Sequence, residues 1–242
     1  MNNLNTKPKI SVAWSGGKDS MLALHRVLQS GAYKVDHLHT VIDADLKRVG
    51  LHGVSEKLID HQAASLGIPL EKLYLKASEG HQNYEQLMNA YFADLENEDF
   101  EGVLYGDIFL EDLKSYREKM LQHAGLTGYY PLWGEPTNKL IEEFIDAGYK
   151  TKVCAANAEF FKDEDLGKTI DRKFIEALTE KVDVCGENGE FHTFVYDGPM
   201  FSYPLSVDVK EVVSKEYSYN KKNDDGSIEN IKSTFLFGEL DF

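Results

Sequence analysis

The sequence predicts an α/β protein with a doubly wound, mostly parallel sheet and a smaller α+β subdomain at its C-terminal end. Strand-like and helix-like segments alternate four times between residues 9 and 124, which is the pattern of successive βαβ units. After about residue 128 the alternation stops, and the stretch "YYPLWGEPTN" brings two prolines and a glycine together, as at a domain joint. We therefore expect one domain over residues 1–128 and a second over residues 129–242.

Length and composition narrow the class of protein. The chain has 242 residues, of which 42% are hydrophobic, so it can bury a sizeable core. The net charge of −15 argues against a nucleic-acid or anionic-membrane partner. No apolar run approaches 18 residues, and the N-terminus "MNNLNTKPKI" has no apolar signal segment. We expect a cytoplasmic protein without a membrane partner.

The elements of the first domain follow from apolar periodicity. In the first helix Met21, Leu24 and Leu28 share one face, joined by Val27, and Gly31 is a typical stop. The predicted strands are 9–14, 33–42, 70–76 and 103–105, and the predicted helices are 19–30, 54–66, 84–95 and 113–124.

The second domain mixes short helices with strands. We expect the helix over 139–147 to begin at Thr137 or Asn138 as its N-cap. A hairpin is expected around Asp224-Asp225-Gly226. The other predicted elements are strands at 151–155 and 191–196 and a helix at 170–179.

Two polar stretches fall where strands of the parallel sheet end. Ligands of doubly wound sheets bind at the carboxyl ends of the strands. The stretch 15–20, "SGGKDS", follows the first strand, and Gly106-Asp107 follows the fourth. These two turns are the candidate binding site.

The stretch "SGGKDS" has the chemistry of a phosphate cradle. It fits neither the Walker pattern nor the dinucleotide-binding glycine pattern. Glycines at a strand-to-helix turn still let backbone N–H groups approach an anion, with hydroxyl donors and a lysine beside them. An aspartate next to a phosphate makes sense if it holds Mg²⁺. The alternative is an ordinary turn in which Asp19 or Ser20 caps the helix. The loop residues are Ser15, Gly16, Gly17, Lys18, Asp19 and Ser20.

These residues resemble a known family. "SGGKDS" is similar to the PP-loop of the N-type ATP pyrophosphatases, which implies a HUP-like, PP-loop ATPase fold. "RVGLHGV", "VLYGDIFLEDLKSYREKML" and "DVCGENGEFHTFVYDGPMF" resemble the diphthine–ammonia ligase family, and "YYPLWG" and "LGKTIDRKF" match its connecting segments. The resemblance covers roughly residues 9 to 205. Asn188 stands where the family commonly has glycine, and His192 stands where an acidic or other residue is common.

The resemblance implies an ATP-dependent amide-forming ligase. Residues 1–128 would be the PP-loop ATP-binding domain and residues 129–242 the substrate-binding one. ATP and Mg²⁺ are the implied cofactors, and ammonia and diphthine on elongation factor 2 the implied partners. The carboxylate would be adenylated and then amidated, with release of AMP and pyrophosphate. Three alternatives stay open: a different small carboxylate such as a cobalamin precursor, a PP-loop tRNA-modifying enzyme, and a non-catalytic nucleotide-binding protein.

The candidate site residues combine this resemblance with side-chain chemistry. The candidate catalytic residues are Lys18, Asp19, Asp107, Glu187 and Glu190. The metal would be held by Asp19 and Asp107, and the nucleotide by Ser15, Gly16, Gly17, Lys18, Asp19, Ser20, His52, Gly53 and Gly106. An Asx turn at Asp107, a polar turn at Glu187 and Glu190, and a solvated loop histidine at His52 are the plain alternatives.

Other polar residues receive a plainer interpretation. We interpret Lys114 and Arg117 as helix-surface charges, and contact with a phosphate or a substrate carboxylate is the alternative. Cys154 looks like a buried strand residue, whereas Cys185 lies next to "GENGE", and we expect neither to be catalytic. The oligomeric state is left open, a homo-oligomer included.

Overall fold

Two sheets organise the molecule. The computed structural model describes residues 7–50, 52–76, 80–222 and 228–242, with side chains described except over 218–231. The first sheet has the parallel order β4-β2-β1-β5-β6, and β3 pairs antiparallel with the end of β2. Its strands are β1 Lys9–Ala13, β2 Lys34–Asp43, β3 Arg48–Val49, β4 Leu70–Leu75, β5 Gly102–Leu104 and β6 Thr127–Tyr129. The predicted α/β class with a mostly parallel sheet is confirmed.

Six helices accompany the strands in the part of the chain that the structure describes. They are α1 Lys18–Ser30, α2 Glu56–Leu66, α3 Gly80–Asn97, α4 Glu111–His123, α5 Thr137–Asp146 and α6 Arg172–Glu176. Gly31 ends α1 and Gly67 ends α2, both in the left-handed conformation that glycine adopts without strain. The core face of α1 is built from Met21, Leu24 and Val27, whereas Leu28, which the periodicity placed on the same face, is 42% exposed.

Several helix boundaries differ from the predictions, including both ends of α3 and the start of α4. Ser55 caps α2 by accepting a hydrogen bond from the backbone N–H of Leu58, so this helix begins after residue 54. Pro136 stands at the N-cap of α5, and Thr137 is already helical; the prediction of a Thr137 or Asn138 cap was wrong. Proline suits a helix start because it has no N–H to leave unsatisfied. The helix expected over 170–179 is limited to α6.

The second sheet is antiparallel and has the order β8-β7-β10-β9. Its strands are β7 Lys150–Asn157, β8 Phe191–Asp197, β9 Asp208–Lys222 and β10 Ile228–Asp241. The long strands β9 and β10 pair antiparallel from Asp208 to Lys222, as expected of a hairpin. The turn predicted at Asp224-Asp225-Gly226 lies outside the described residues.

The second sheet packs directly against the loop that follows β1 and the start of α1. The backbone N–H of Val195 on β8 donates to the carbonyl of Gly16, at 2.9 Å. The backbone N–H of Lys18 donates to the hydroxyl of Thr193, at 3.0 Å. One hydrophobic core runs through both parts and includes Leu24 of α1 and Phe194 of β8. The loop after β1 is therefore held from both sheets.

The strand order places the two predicted binding turns side by side. β1 and β5 are neighbours, and from them the chain winds outward in opposite directions, so a crevice opens at their carboxyl ends. A Cβ on Gly106, just after β5, would lie 2.7 Å from the carbonyl carbon of Asp19. The end of β5 thus touches the start of α1. Among the described residues, no helix is both long and apolar enough to cross a membrane.

Candidate active site

The loop after β1 is braced from behind by a buried glutamine. Gln62 on α2 is fully buried, and its amide nitrogen donates to the carbonyls of Gly16 (3.0 Å) and Val195 (2.6 Å). Its amide oxygen accepts from the indole N–H of Trp14, at 2.8 Å. Gly16 has φ +79°, and a Cβ there would meet Ile59 at 2.7 Å, so glycine is required at this position. The loop conformation is fixed before any ligand arrives.

Lys18 reaches from the loop into the site. Its ammonium group lies 2.9 Å from Asp19 Oδ2 and also donates to the carbonyl of Cys185. Burial lowers the pKa of Lys18, but the carboxylates of Asp19 and Glu187 outweigh burial and raise it overall. Gly17 stands at the N-cap of α1 without a side-chain cap. Lys18 therefore stays protonated at the positive end of a helix, a suitable place for a phosphate.

Three carboxyl groups face the same space. Asp19 follows Lys18 on α1, Asp107 follows β5, and Glu187 comes from the loop before β8; all three line one cavity. Burial raises the pKa of Asp19 and of Asp107, and that of Glu187 to about 7. The negative charge of Asp19 adds to the rise at both other groups. The site therefore gains stability when a cation enters it.

Asp107 and Glu187 are fixed in different ways. Glu187 Oε1 accepts hydrogen bonds from the backbone N–H groups of Ile108 (2.8 Å) and Phe109 (3.4 Å). Asp107 Oδ2 lies 3.1 Å from a guanidinium nitrogen of Arg117, in a geometry that makes no hydrogen bond. Among the described residues, that buried oxygen has an electrostatic partner and no hydrogen-bond donor, and it can still bind a ligand.

The donor set of Asp19 and Asp107 fits Mg²⁺. Both offer carboxylate oxygens, which Mg²⁺ prefers, and one of these oxygens has no hydrogen-bond donor. Within the described residues, no three His, Cys, Asp or Glu side chains are arranged to hold a metal by themselves. Mg²⁺ at nucleotide sites is commonly bound by one or two carboxylates plus phosphate oxygens.

Glu190 takes a different place from Glu187. Its side chain is 4% exposed, and Oε1 accepts from the backbone N–H of Asp183 (2.9 Å) and from the Asn188 amide (3.2 Å). Its carboxylate holds the "GENGE" turn together from inside and does not line the cavity. Asn188 thus has a local partner at the position where the family commonly carries glycine.

Two histidines cover the loop on the side of the second sheet. His52 Nδ1 lies 3.2 Å from the carbonyl oxygen of Thr193, and the His52 ring packs against His192 with 4.7 Å between centroids and 42° between the ring planes. Burial lowers the pKa of His52 to about 4 and that of His192 well below its usual value. Both rings are neutral at physiological pH and line the cavity as flat, weakly polar surfaces. Gly53 instead packs against Phe237, outside the cavity lining.

The cavity has a volume of about 950 Å³ and collects most of the predicted site residues. It also reaches between α3 and α4, where Arg117 lines it with its guanidinium 4.4 Å from the Tyr105 ring centroid. The interpretation of Arg117 as a helix-surface charge was wrong, because Leu113, Tyr116, Arg117 and Met120 form one helical stripe that faces the cavity. The predicted residues in the lining are Ser15, Lys18, Asp19, Ser20, His52, Gly106, Asp107 and Glu187, whereas Gly16, Gly17, Gly53 and Glu190 lie outside it.

Neither cysteine offers a reactive thiol. Cys154 and Cys185 are both buried and unpaired, and burial raises the pKa of each. The Cys185 thiol donates a hydrogen bond to the carbonyl oxygen of Thr137 at 3.3 Å. The backbone carbonyl of Cys185 accepts a hydrogen bond from the Lys18 ammonium group. A high pKa keeps both thiols protonated, and the thiol form is a poor nucleophile.

The parallel sheet, the "SGGKDS" turn and the facing carboxylates define an α/β protein of the PP-loop ATPase type. The diphthamide synthase N-terminal domain model matches residues 8–128, and the C-terminal domain model matches residues 136–233. The chain belongs to the diphthamide synthase family, as the resemblance predicted.

Curated relatives carry a consistent name. The chain is 27% identical over 230 residues to the diphthine–ammonia ligase of Homo sapiens, covering 85% of each protein. It is 26% identical over 226 residues to that of Danio rerio, covering 82% of this chain and 86% of the relative. The diphthine–ammonia ligase of Schizosaccharomyces pombe is also 26% identical, over 217 residues, but only 36% of that longer protein is covered. These relatives are ligases, and the expected enzyme class is confirmed.

Proposed function

We propose that this protein is an ATP-dependent ligase that adenylates a diphthine-like carboxylate and transfers ammonia to it, releasing AMP and pyrophosphate. The observation that carries the proposal is the rigid "SGGKDS" turn, which presents Lys18 and a helix N-terminus to a cavity that Asp107 and Glu187 enter from other elements. ATP makes chemical sense here because a carboxylate is a poor electrophile until AMP is attached to it.

The first step forms a mixed anhydride. A carboxylate oxygen of the acceptor attacks the α-phosphorus of ATP, the new O–P bond forms, and the bond to pyrophosphate breaks. Lys18 and the backbone N–H groups at the start of α1 stabilise the charge on the departing pyrophosphate. Asp19 and Asp107 would hold Mg²⁺, which neutralises phosphate charge when it is bound. Most of the rate enhancement comes from positioning and charge stabilisation.

The second step makes the amide. Ammonia attacks the acyl carbon, the C–N bond forms, and the C–O bond to AMP breaks. The nitrogen must lose one proton, and Glu187 is the acceptor that we assign, since its pKa of about 7 suits proton transfer near neutral pH. Glu187 Oε1 is held by two backbone N–H groups, so the carboxylate is fixed while it accepts the proton.

Diphthine on elongation factor 2 is the acceptor that we propose, because the relatives are named diphthine–ammonia ligases. A different small carboxylate stays the second candidate. Thiolation of tRNA is disfavoured by the two buried, protonated cysteines and by the net charge of −15. A cytoplasmic location, the division of the chain at residue 128 and a homo-oligomeric state remain proposals.

The test is a product analysis. The protein is incubated with Mg·ATP, ammonium and diphthine-bearing elongation factor 2, and AMP and pyrophosphate are measured. The proposal expects both products in equal amounts, dependent on the factor and reduced at least 100-fold in Asp19→Asn. Formation of ADP would exclude the adenylation route. ATP binding without factor-dependent AMP would move the search to another carboxylate.

A further inference from the structure

We propose that Arg117 is the residue that binds the acceptor's carboxylate, and that the space between α3 and α4 receives the acceptor's neighbouring carbon chain. The inference rests on the proposed adenylation reaction and adds to it the place where the second substrate binds. Three features of the described residues support it: the supply of positive charge, the free donors of Arg117 and the composition of the walls.

Positive charge is scarce in the cavity. Among the described residues that line it, Lys18 and Arg117 are the two with a permanently charged basic side chain. Lys18 is tied to the loop by Asp19 and the carbonyl of Cys185, so it serves the phosphate side. A carboxylate that attacks a phosphate must approach a second anion, which costs energy unless a cation lies beside it. Arg117 is the group left to supply that cation.

The guanidinium of Arg117 is held in place by its neighbours, but its N–H donors are not used in hydrogen bonds to the described residues. It stacks over Tyr105 and forms an ion pair with Asp107 at 3.1 Å, yet it donates no hydrogen bond to any residue that the structure describes. Its planar fork of N–H donors matches a carboxylate in two-point contact. Because Asp107 follows β5 next to the start of α1, Arg117 lies on the side of the cavity that adjoins the phosphate loop.

The walls beyond Arg117 suit a carbon chain. They carry aromatic rings and methionines in place of further charges. The lining residues from α3 and α4 are Tyr84, Met88, Phe92, Leu113, Tyr116 and Met120. Such surfaces bury an apolar or weakly polar body, while one charged group fixes its orientation. The substrate class that this geometry assigns is a carboxylic acid attached to a flexible, mostly carbon chain.

Steady-state kinetics with diphthine-bearing elongation factor 2 tests the assignment. In Arg117→Met we expect the KM for the factor to rise about 10- to 100-fold, while the ATP dissociation constant from calorimetry changes less than about twofold. Arg117→Lys keeps the charge without the fork and should fall between wild type and Arg117→Met. Lys114→Met is the matched control, because Lys114 lies one turn earlier on α4, packs over Trp133 and is absent from the cavity lining.

Each outcome has a defined meaning. A factor KM that is unchanged in Arg117→Met overturns the inference and leaves the proposed function standing. A loss of ATP affinity as large as the change in factor KM also overturns it, because Arg117 would then act through Asp107. If wild type forms no factor-dependent AMP, the proposed function fails, and the assignment of Arg117 to its acceptor fails with it.

Discussion

Glu187 accepts a hydrogen bond from the backbone N–H of Ile108 at 2.8 Å, and this contact joins the loop before β8 to the end of β5. Ile108 directly follows Asp107, so the contact brings together two carboxyl groups that lie far apart in the sequence. The chemistry that we propose depends on this contact, and the first two predictions concern the carboxyl group of Glu187 that makes it.

Glu187→Gln should fold and bind ATP but turn over slowly. The glutamine oxygen can still accept from Ile108 and Phe109, whereas the proton acceptor is lost. We expect kcat to fall about 100-fold, a typical effect of removing a general base. In wild type, kcat/KM should rise with pH through about 7 as Glu187 of the free enzyme ionises, and this inflection should vanish in the variant. The profile is measured with the concentration of uncharged ammonia held constant.

An exposed carboxylate provides the control for that experiment. Glu176→Gln removes the same charge from the end of α6, where the side chain is exposed. It should leave kcat and the pH profile of kcat/KM unchanged. A Glu187→Gln enzyme that keeps both the wild-type rate and the wild-type inflection would contradict the assigned role.

Glu187→Gln should also change the free energy of unfolding in a pH-dependent way. The pKa of Glu187 is about 7 in the folded protein, against 4.5 for a solvated glutamate side chain, chiefly because of burial. The folded state therefore binds a proton that the unfolded state has lost, and the free energy of unfolding falls as pH rises from about 4.5 to 7. Urea denaturation should show Glu187→Gln to be more stable than wild type at pH 8, with the difference vanishing near pH 4. A constant difference across this range would contradict the prediction.

The sequence predicted the elements whose signal is local. Alternating strands and helices, Gly31 as a helix stop and the turn after β1 all depend on neighbouring residues, and the structure has them. β3 and β6 were missed because two or three residues carry no periodicity. They form where a partner strand already presents free hydrogen-bonding groups, which is information from distant parts of the chain.

Side chains that contact distant elements of the chain were harder to predict. Gln62 looks like any polar helix residue, and only the fold shows that it contacts Gly16 and Val195. The position of Arg117 could have been predicted from the sequence. It lies within an otherwise apolar stripe of α4, and such a stripe indicates the side of a helix that faces the protein interior. The buried polar network around Ser11 was missed because its members come from distant parts of the chain. The Ser11 hydroxyl contacts His39 on another strand and Tyr91 on a helix, both at 2.7 Å.

Gln62→Met should destabilise the protein more than a typical surface change. Methionine fills a similar volume but leaves the Trp14 indole N–H and the Val195 carbonyl without the partners that Gln62 gives them. Unsatisfied buried groups cost about 1–3 kcal/mol each, so we expect the free energy of unfolding to fall by about 3 kcal/mol. Equilibrium urea denaturation with an unchanged m-value measures the loss.

Gln122→Met is the matched control for Gln62, because Gln122 is exposed on α4. It should change the free energy of unfolding by less than about 0.5 kcal/mol. If the two variants lower the free energy of unfolding equally, the hydrogen bonds of Gln62 do not stabilise the fold.

Gly106→Ala should weaken ATP binding through a steric effect. A Cβ at this position would lie 2.7 Å from the carbonyl carbon of Asp19 and 2.8 Å from the backbone nitrogen of Ser20. Backbone atoms cannot rotate away as a side chain can, so the start of α1 must move from β5 and carry Lys18 and Asp19 with it. We expect at least a tenfold rise in the ATP dissociation constant by calorimetry, equal to about 1.4 kcal/mol. Gly50→Ala is the control, since Gly50 also lines the cavity but has no described residue other than its chain neighbours within 4 Å of its Cβ position. If both variants bind ATP as wild type does, the close approach of β5 to α1 does not set the geometry of the loop.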